Sequence, residues 1–263
     1  MFLDAIQRKA EPDPEVFPWS LPVFRWLERL EFKAPVTFLV GENGSGKSTL
    51  LEGLAAGMGA VTAGGADIER DETLAAARRF AAGYRFSRKM KPRARLFVRA
   101  EDLFGFVRRV SRDMSDLAEM EEGFKTSIKG DYGRQLAMGA VRGQRQALEG
   151  TYGEDPDARS HGETFLNLLE KRLVVEGLYF LDEPEAPLSP LRILSLISLL
   201  KQVVADGSQL VICTHSPILM AFPGAEILLF EGDSITPTAY GDLDHVRLTR
   251  AFLNDPESYL RRL

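Results

Sequence analysis

Cysteine is nearly absent. Cys213 is the single one in 263 residues, so no disulfide can close within the chain and no cysteine cluster can hold zinc. It lies in the apolar run Leu210-Val211-Ile212-Cys213 and reads as a buried small hydrophobe. Long hydrophobic runs are missing too. Nothing approaches the roughly 20 residues of a membrane span, and the longest candidates contain Asp182-Glu183 or end at His215. Met1-Phe2-Leu3-Asp4 lacks a basic segment leading into an apolar core, so no signal peptide is expected. The formal net charge of −5 is no global nucleic-acid signature, although a local basic patch stays open. A cytoplasmic protein without a membrane span is the expectation, long enough for one large α/β domain or for a core with an inserted lobe.

What is present is dominated by Gly41-Glu42-Asn43-Gly44-Ser45-Gly46-Lys47-Ser48-Thr49. The apolar run Val36–Val40 precedes it and a helix-prone segment, Thr49 to Met58, follows. Strand, glycine-rich loop and helix are the context in which G-x-x-x-x-G-K-[ST] becomes a phosphate cradle. Glycines let the backbone curl until successive N–H groups face one anion, and the helix turns its positive end toward the same anion. Lys47 would reach the β- and γ-phosphates, and the Ser48 hydroxyl would ligate Mg²⁺. A tight glycine turn with a chance lysine is the bland alternative, and the flanking strand and helix speak against it.

Three further stretches complete the pattern. Leu178-Tyr179-Phe180-Leu181-Asp182-Glu183 is an apolar strand ending in two carboxylates. In a parallel sheet such a strand end opens onto the ligand crevice. Asp182 would hold the Mg²⁺ shell, and Glu183 could orient and deprotonate an attacking water. Alone, an Asp-Glu pair after a strand reads as a solvated turn; paired with the glycine loop it reads as chemistry. Leu210–Cys213 runs directly into Thr214-His215-Ser216-Pro217, where His215 could donate a hydrogen bond to a γ-phosphate oxygen and sense the nucleotide state. Ser160-His161-Gly162-Glu163 opens a helix. Ser160 with Glu163 fits a capping box, and the same exposed N-terminus with its glycine fits a second anion site.

The remaining pattern alternates apolar strands with helices. Strands are expected near 36–40, 95–98, 178–181, 210–213, 226–230 and 234–239. Helices are expected near 47–58, 72–82, 101–120, 163–174 and 190–204, with a helical tail from His245 broken at Asn254-Asp255-Pro256. Residues 11–22, with four prolines, read as a loop, and 121–159 are polar and glycine-dotted with no clear assignment. Continuous apolar strands imply a mostly parallel sheet covered on both faces. The absence of a sustained heptad between 100 and 160 argues against a long coiled coil.

These motifs in this order resemble the ATP-binding-cassette ATPases. Within that superfamily the chain looks most like small bacterial stand-alone predicted AAA-family ATPases, related to the structural-maintenance-of-chromosomes and recombination ATPases. The fold implied is a P-loop NTPase: α/β, a mostly parallel sheet with antiparallel strands at the edge, and a short inserted helical lobe. Residues 1–100 and 161–263 would form the nucleotide-binding core and 101–160 the lobe leading to the signature helix. The resemblance implies ATP and Mg²⁺ as cofactors, ATP hydrolysis, and an ATP-dependent head-to-tail homodimer in which the cradle of one copy, Glu42 to Thr49, faces Ser160 and Gly162 of the other. Pro184-Glu185-Ala186-Pro187-Leu188-Ser189 matches the loop that joins the two sites. Two departures stand out. The signature usually reads L-S-G-G-Q and here reads Arg159-Ser160-His161-Gly162-Glu163; and no glutamine follows the strand at 95–98, where Glu101 stands nearest and becomes a candidate Mg²⁺ ligand.

The implied role is a clamp or regulator acting on nucleic acid or a partner protein. The ATPase subunit of a membrane transporter and a nucleotide-gated binding module with little turnover remain as alternatives. A basic stretch from Arg78 to Arg112, interleaved with Tyr84, Phe86 and Phe97, could track a nucleic-acid backbone or dock an acidic partner; it could equally be a solvated face. Phe17, Trp19 and Phe24 are candidates for stacking on adenine, each equally suited to packing.

Overall fold

The structure is a computed structural model that describes residues 1–62, 74–127, 130–152 and 161–261. It divides into two compact units, residues 1–100 with 173–263, and residues 101–172.

The first unit is built on a seven-stranded sheet. Its strands are β3 (Val36–Gly41), β4 (Val61–Thr62), β6 (Ala94–Arg99), β7 (Gly177–Asp182), β8 (Gln209–Cys213), β9 (Glu226–Glu231) and β10 (Ser234–Pro237). The order across the sheet is β10-β9-β3-β8-β7-β6-β4. All neighbours run parallel except the edge pair β9–β10. This is the mixed α/β architecture expected from the sequence. The central strands carry no alternation: β3, β7 and β8 are buried almost from end to end, as required of a sheet covered on both faces. The crossovers are helices. Helix α2 (Lys47–Met58) follows β3 and packs on β6, β7 and β8, and α7 (Pro190–Ala205) connects β7 to β8. Gly59 ends α2 in the left-handed region with its N–H on the Ala55 and Ala56 carbonyls, the standard glycine stop.

A second, three-stranded antiparallel sheet was not expected. It joins β2 (Arg29–Glu31), β1 (Leu3–Arg8) and β5 (Tyr84–Arg88). Gln209, at the start of β8, ties it down. Its side-chain oxygen accepts from Phe2 N at 2.7 Å and Leu3 N at 2.9 Å, and its amide donates to Leu3 O at 2.8 Å. Between this sheet and α2 lies an aromatic cluster. Phe80, on α3 (Ala75–Gly83), stacks on Trp19 at 5.6 Å and Tyr84 at 4.6 Å and meets Phe24 edge-on at 5.1 Å. Trp19 and Phe24, the latter on the short helix α1 (Pro22–Arg25), therefore face the core and are closed to a base. A Cβ at Gly53 of α2 would lie 2.3 Å from the Phe80 ring, so glycine is what lets the helix sit against it.

Among its described residues the second unit holds three helices, α4 (Ala100–Ser127), α5 (Asp131–Tyr152) and α6 (His161–Arg172). Helix α4 extends past the expected 120, and residues 131–152, left unassigned from sequence, form one continuous helix. The buried Glu121 accepts from Arg142 Nε at 2.9 Å and pairs with Arg145 at 3.3 Å, linking α4 to α5. In the first unit, short α8 (Pro217–Met220) follows the β8 turn, and a 3-10 turn at Tyr240–Asp242 leads into α9 (Asp244–Asn254) and α10 (Pro256–Leu260). No described helix is long and apolar enough to cross a membrane.

Phe80 is fully buried among three aromatic neighbours. Phe80→Ala is expected to lower stability by about 3–5 kcal/mol, read as a drop in the urea midpoint at unchanged slope.

Candidate functional site

The order β3-β8-β7 places three neighbouring carboxyl ends side by side. The glycine loop leaves β3, Asp182 and Glu183 end β7, and Thr214-His215 leave β8. The cradle residues from Glu42 to Thr49 thus meet the twin acids and the histidine at one edge.

The loop is shaped by backbone that L side chains rarely adopt. Gly41 has φ 149°, and a Cβ there would lie 2.5 Å from the Phe230 carbonyl; Gly46 has φ 101° and would press on Val23 at 3.1 Å. Gly46 is also the N-cap of α2 and offers no side-chain cap. The first-turn N–H groups of Lys47, Ser48 and Thr49 therefore point out of the helix end without an intrahelical acceptor, where an anion would complete them. The Ser45 hydroxyl oxygen is buried and has no partner. Asn43 and Gly44 form the loop's outer edge. They line a cavity of about 700 Å³ with Ser45, His215, Phe230 and His245.

The charges are packed closely. Lys47 is only 5 % exposed, and its ammonium donates to the Glu42 carbonyl at 2.6 Å. Burial pulls its pKa down; nearby Cys213, Glu183 and Asp182 act the other way. Cys213 is fully buried and its thiol pKa is pushed far up, mainly by burial, so at neutral pH the two carboxylates are the countercharges. Ser48 Oγ donates to Asp182 Oδ1 at 3.2 Å. Burial raises the Asp182 pKa to about 6; the Ser48 hydrogen bond and Arg99 lower it, and Glu183 and Glu52 raise it. Glu52 is itself paired with Arg99. Glu183 has φ 47°, an uncommon conformation for a residue with a side chain. Its Oε1 lies 3.6 Å from His215 Nε2.

Ser48 and Asp182 offer a hydroxyl and a carboxylate side by side, the hard oxygen donors that suit Mg²⁺. No cluster of three or more His, Cys, Asp or Glu able to hold a metal occurs among the described residues. The pair therefore fits a cation whose other ligands are phosphate and water oxygens.

Three expected site residues remain, Gly162, Ser160 and Glu101. Gly162 is buried in the first turn of α6, in the second unit. Ser160 lies outside the described residues. Glu101 lies in α4, and its side chain is likewise outside them. Two of the rings interleaved in the basic stretch depart from expectation. Tyr84 and Phe97 are fully buried and cannot stack on bases. Lys89 pairs with Asp4 and Arg93 with Glu176, each at 2.6 Å, while Arg88 and Arg95 donate to the Gly57 and Met58 carbonyls at 2.6 and 2.7 Å. Four of these cations are thus paired within the chain, Lys89 and Arg93 in exposed surface pairs.

Sequence reasoning missed the C-terminal contribution. Asp242, Asp244 and His245 line the cavity beside the loop, and His245 Nε2 is buried without a partner. Burial lowers the His245 pKa, and His215 adds to the effect. Nothing in the spacing announces this, since the turn at Tyr240–Asp242 does the positioning.

Residues 23–134 match a family described as an AAA domain. That span includes the glycine loop and α2. No curated protein matches the chain. Among solved structures, cbiO1 from Clostridium perfringens, part of the ABC transporter complex cbiONQ, aligns at 15% identity and TM-score 0.47 over 100% of both chains. The SMC head domain from Thermotoga maritima aligns at 16% identity and TM-score 0.42, over 91% of this chain and 100% of its own. A chain of an inward-facing metal-chelate type ABC transporter aligns at 17% identity and TM-score 0.47, over 96% and 90%.

The buried carboxylate gives a signed prediction. The folded-state pKa of Asp182, about 6, lies above the ordinary 3.8, so between those values the folded chain binds more protons than the unfolded one. Stability is then lost as pH rises through that window, by about 2–3 kcal/mol in total. Asp182→Asn removes the loss. Its melting temperature relative to the parent should climb from pH 4 to pH 7 and then level off, measured without nucleotide or divalent cation.

Proposed function

We propose that the chain binds Mg-ATP at the loop between β3 and α2 and hydrolyses it to ADP and phosphate. One observation carries the reading: a buried lysine, an uncapped helix N-terminus, paired Ser48 and Asp182, and the Glu183–His215 pair share one sheet edge. A deep ammonium beside open N–H groups is built for a multiply charged anion.

In this reading the backbone of Glu42 to Thr49 and the Lys47 ammonium hold the β- and γ-phosphates. Ser48 and Asp182 would hold Mg²⁺, which supplies charge neutralisation of the phosphates when bound. Glu183 accepts the proton of the attacking water, and His215 donates to a γ-phosphate oxygen. Catalysis is then positioning plus electrostatics, as in phosphoryl transfer generally. The match of residues 23–134 to an AAA domain supports the nucleotide part. The motif resemblance supports closure of two copies head to tail, with Ser160 and Gly162 of one copy meeting the cradle of the other, as a clamp or regulator of a nucleic acid or protein.

Glu183→Gln keeps the shape of the strand end and removes the base. Its phosphate release should fall at least about 100-fold, with Mg-ATP affinity retained by equilibrium dialysis. Lys47→Ala should lose the affinity itself. Size-exclusion chromatography of Glu183→Gln should show a dimer with Mg-ATP and a monomer without it. A monomer in both runs overturns the closing step, and unchanged ATP binding by Lys47→Ala overturns the site.

A further inference from the structure

Glu185 lies two residues beyond the proposed base, in the loop Pro184–Ser189, and the chemistry described so far does not use it. Its Oε1 accepts three hydrogen bonds from the turn after β8. Thr214 Oγ1 donates at 2.6 Å, the His215 backbone N–H at 2.8 Å and the Ser216 backbone N–H at 3.1 Å. Thr214 is fully buried, and its hydroxyl oxygen also accepts from Ser216 N at 3.0 Å. Ser216 in turn caps α8 by accepting from Leu219 N at 3.3 Å. One carboxylate oxygen thus gathers the backbone around His215. The other, Oε2, is buried with no partner.

The same loop is tied to β8 from its other end. Glu183 N donates to the Cys213 carbonyl at 3.0 Å, and Ala186 N donates back to Glu183 O at 3.0 Å. The acid and the histidine leave different strands, 142 and 174 residues after Gly41, where the glycine loop starts; what fixes them against each other is this pair of ties.

We infer that Glu185 is the positioning residue that locks the Glu183 loop to the His215 turn, so that the two groups address the γ-phosphate as one rigid element. The inference rests on the ATPase reading. Charge-assisted acceptance by a carboxylate is about twice as strong as a neutral bond, and three donors converge on one atom. A neutral acceptor of the same shape should hold the turn in part, and a methyl group should not hold it. Glu185 does not touch the glycine loop through any of these bonds, so its removal should spare nucleotide affinity.

The test is steady-state phosphate release by Glu185→Ala and Glu185→Gln, with Mg-ATP affinity measured directly. Glu185→Ala should lose about 10- to 100-fold in kcat, the size expected for misplacement on the ångström scale, with KM and affinity within about threefold. Glu185→Gln should fall between the parent and Glu185→Ala. The chain has three histidines, so the His215 ring resonances can be assigned by single substitution, and they should shift and broaden in Glu185→Ala. Should Glu185→Ala not fold, Glu185→Gln decides alone, by reduced kcat at unchanged affinity. Parental kcat in both variants overturns the proposal, as does affinity falling in step with kcat. A parent chain that binds Mg-ATP without releasing phosphate overturns the hydrolysis reading instead, and the positioning role for hydrolysis falls with it; an unmoved His215 resonance would then show that the tie itself is wrong.

Discussion

Lys47 cannot be buried at 5 % exposure without compensation. An ammonium moved out of water loses several kcal/mol of hydration, and only carbonyls, carboxylates or a bound anion can offset that. The fold supplies the Glu42 carbonyl at 2.6 Å and, from the end of β7 two strands away in the sheet, the charges of Asp182 and Glu183. Removing the lysine would leave two acids facing each other; removing the acids would leave a buried cation with one carbonyl. The parallel register makes the meeting unavoidable. Leu39 on β3 lies opposite Cys213 on β8, and Cys213 lies opposite Asp182 on β7. With strands about 4.8 Å apart, groups leaving the three carboxyl ends have nowhere to go but toward one another.

Burial acts on three titratable groups at that edge, in opposite directions according to charge. It lowers Lys47 and raises Asp182 and Cys213. The carboxylate is held charged at neutral pH against a pull toward its neutral form, and a divalent cation at the Ser48–Asp182 pair would reverse that pull. Nucleotide and cation together would therefore neutralise what the sheet edge leaves strained, and binding and stability would be coupled through the same atoms. The open first turn of α2 adds to this, since its N–H groups gain acceptors only from an anion.

Much of this was legible because the motifs are local. Strand, glycine loop and helix at 36–58 follow one another directly, and the apolar strands at 178–181 and 210–213 announce themselves by composition. The sheet β2-β1-β5 was not legible, because its strands are short and its pairings join residues 3–8 to residues 84–88, which no local pattern encodes. Helix α5 was hidden for another reason. It contains Gly139, Gly143 and Gly150, which lower helix propensity by about 1 kcal/mol each, yet a Cβ at any of them would meet nothing within 4 Å. These glycines are neither stops nor close contacts, and their presence left the segment without an assignment from sequence. The aromatics among the basic residues misled in the opposite sense: Tyr84 and Phe97 looked like base-stacking rings and are core. At the site, the pairing of Ser48 with Asp182 follows from motif order, whereas the approach of His245 depends on a turn whose geometry has no sequence signature.

Glu183 shows why the ties around it matter. A left-handed φ of 47° costs a side-chain-bearing residue about 1 kcal/mol or more, and glycine would relieve it while removing the carboxylate. The conformation persists because the backbone on both sides is committed: Glu183 N to the Cys213 carbonyl, Ala186 N to the Glu183 carbonyl, and Glu185 to the whole turn after β8. With φ reversed the chain bends sharply at the end of β7, and the carboxylate is delivered to within 3.6 Å of the His215 ring. An extended residue there would carry the strand onward and away from β8. The local strain is therefore the means by which two residues from separate strands come to stand side by side, and the hydrogen bonds of the loop are what make that strain sustainable.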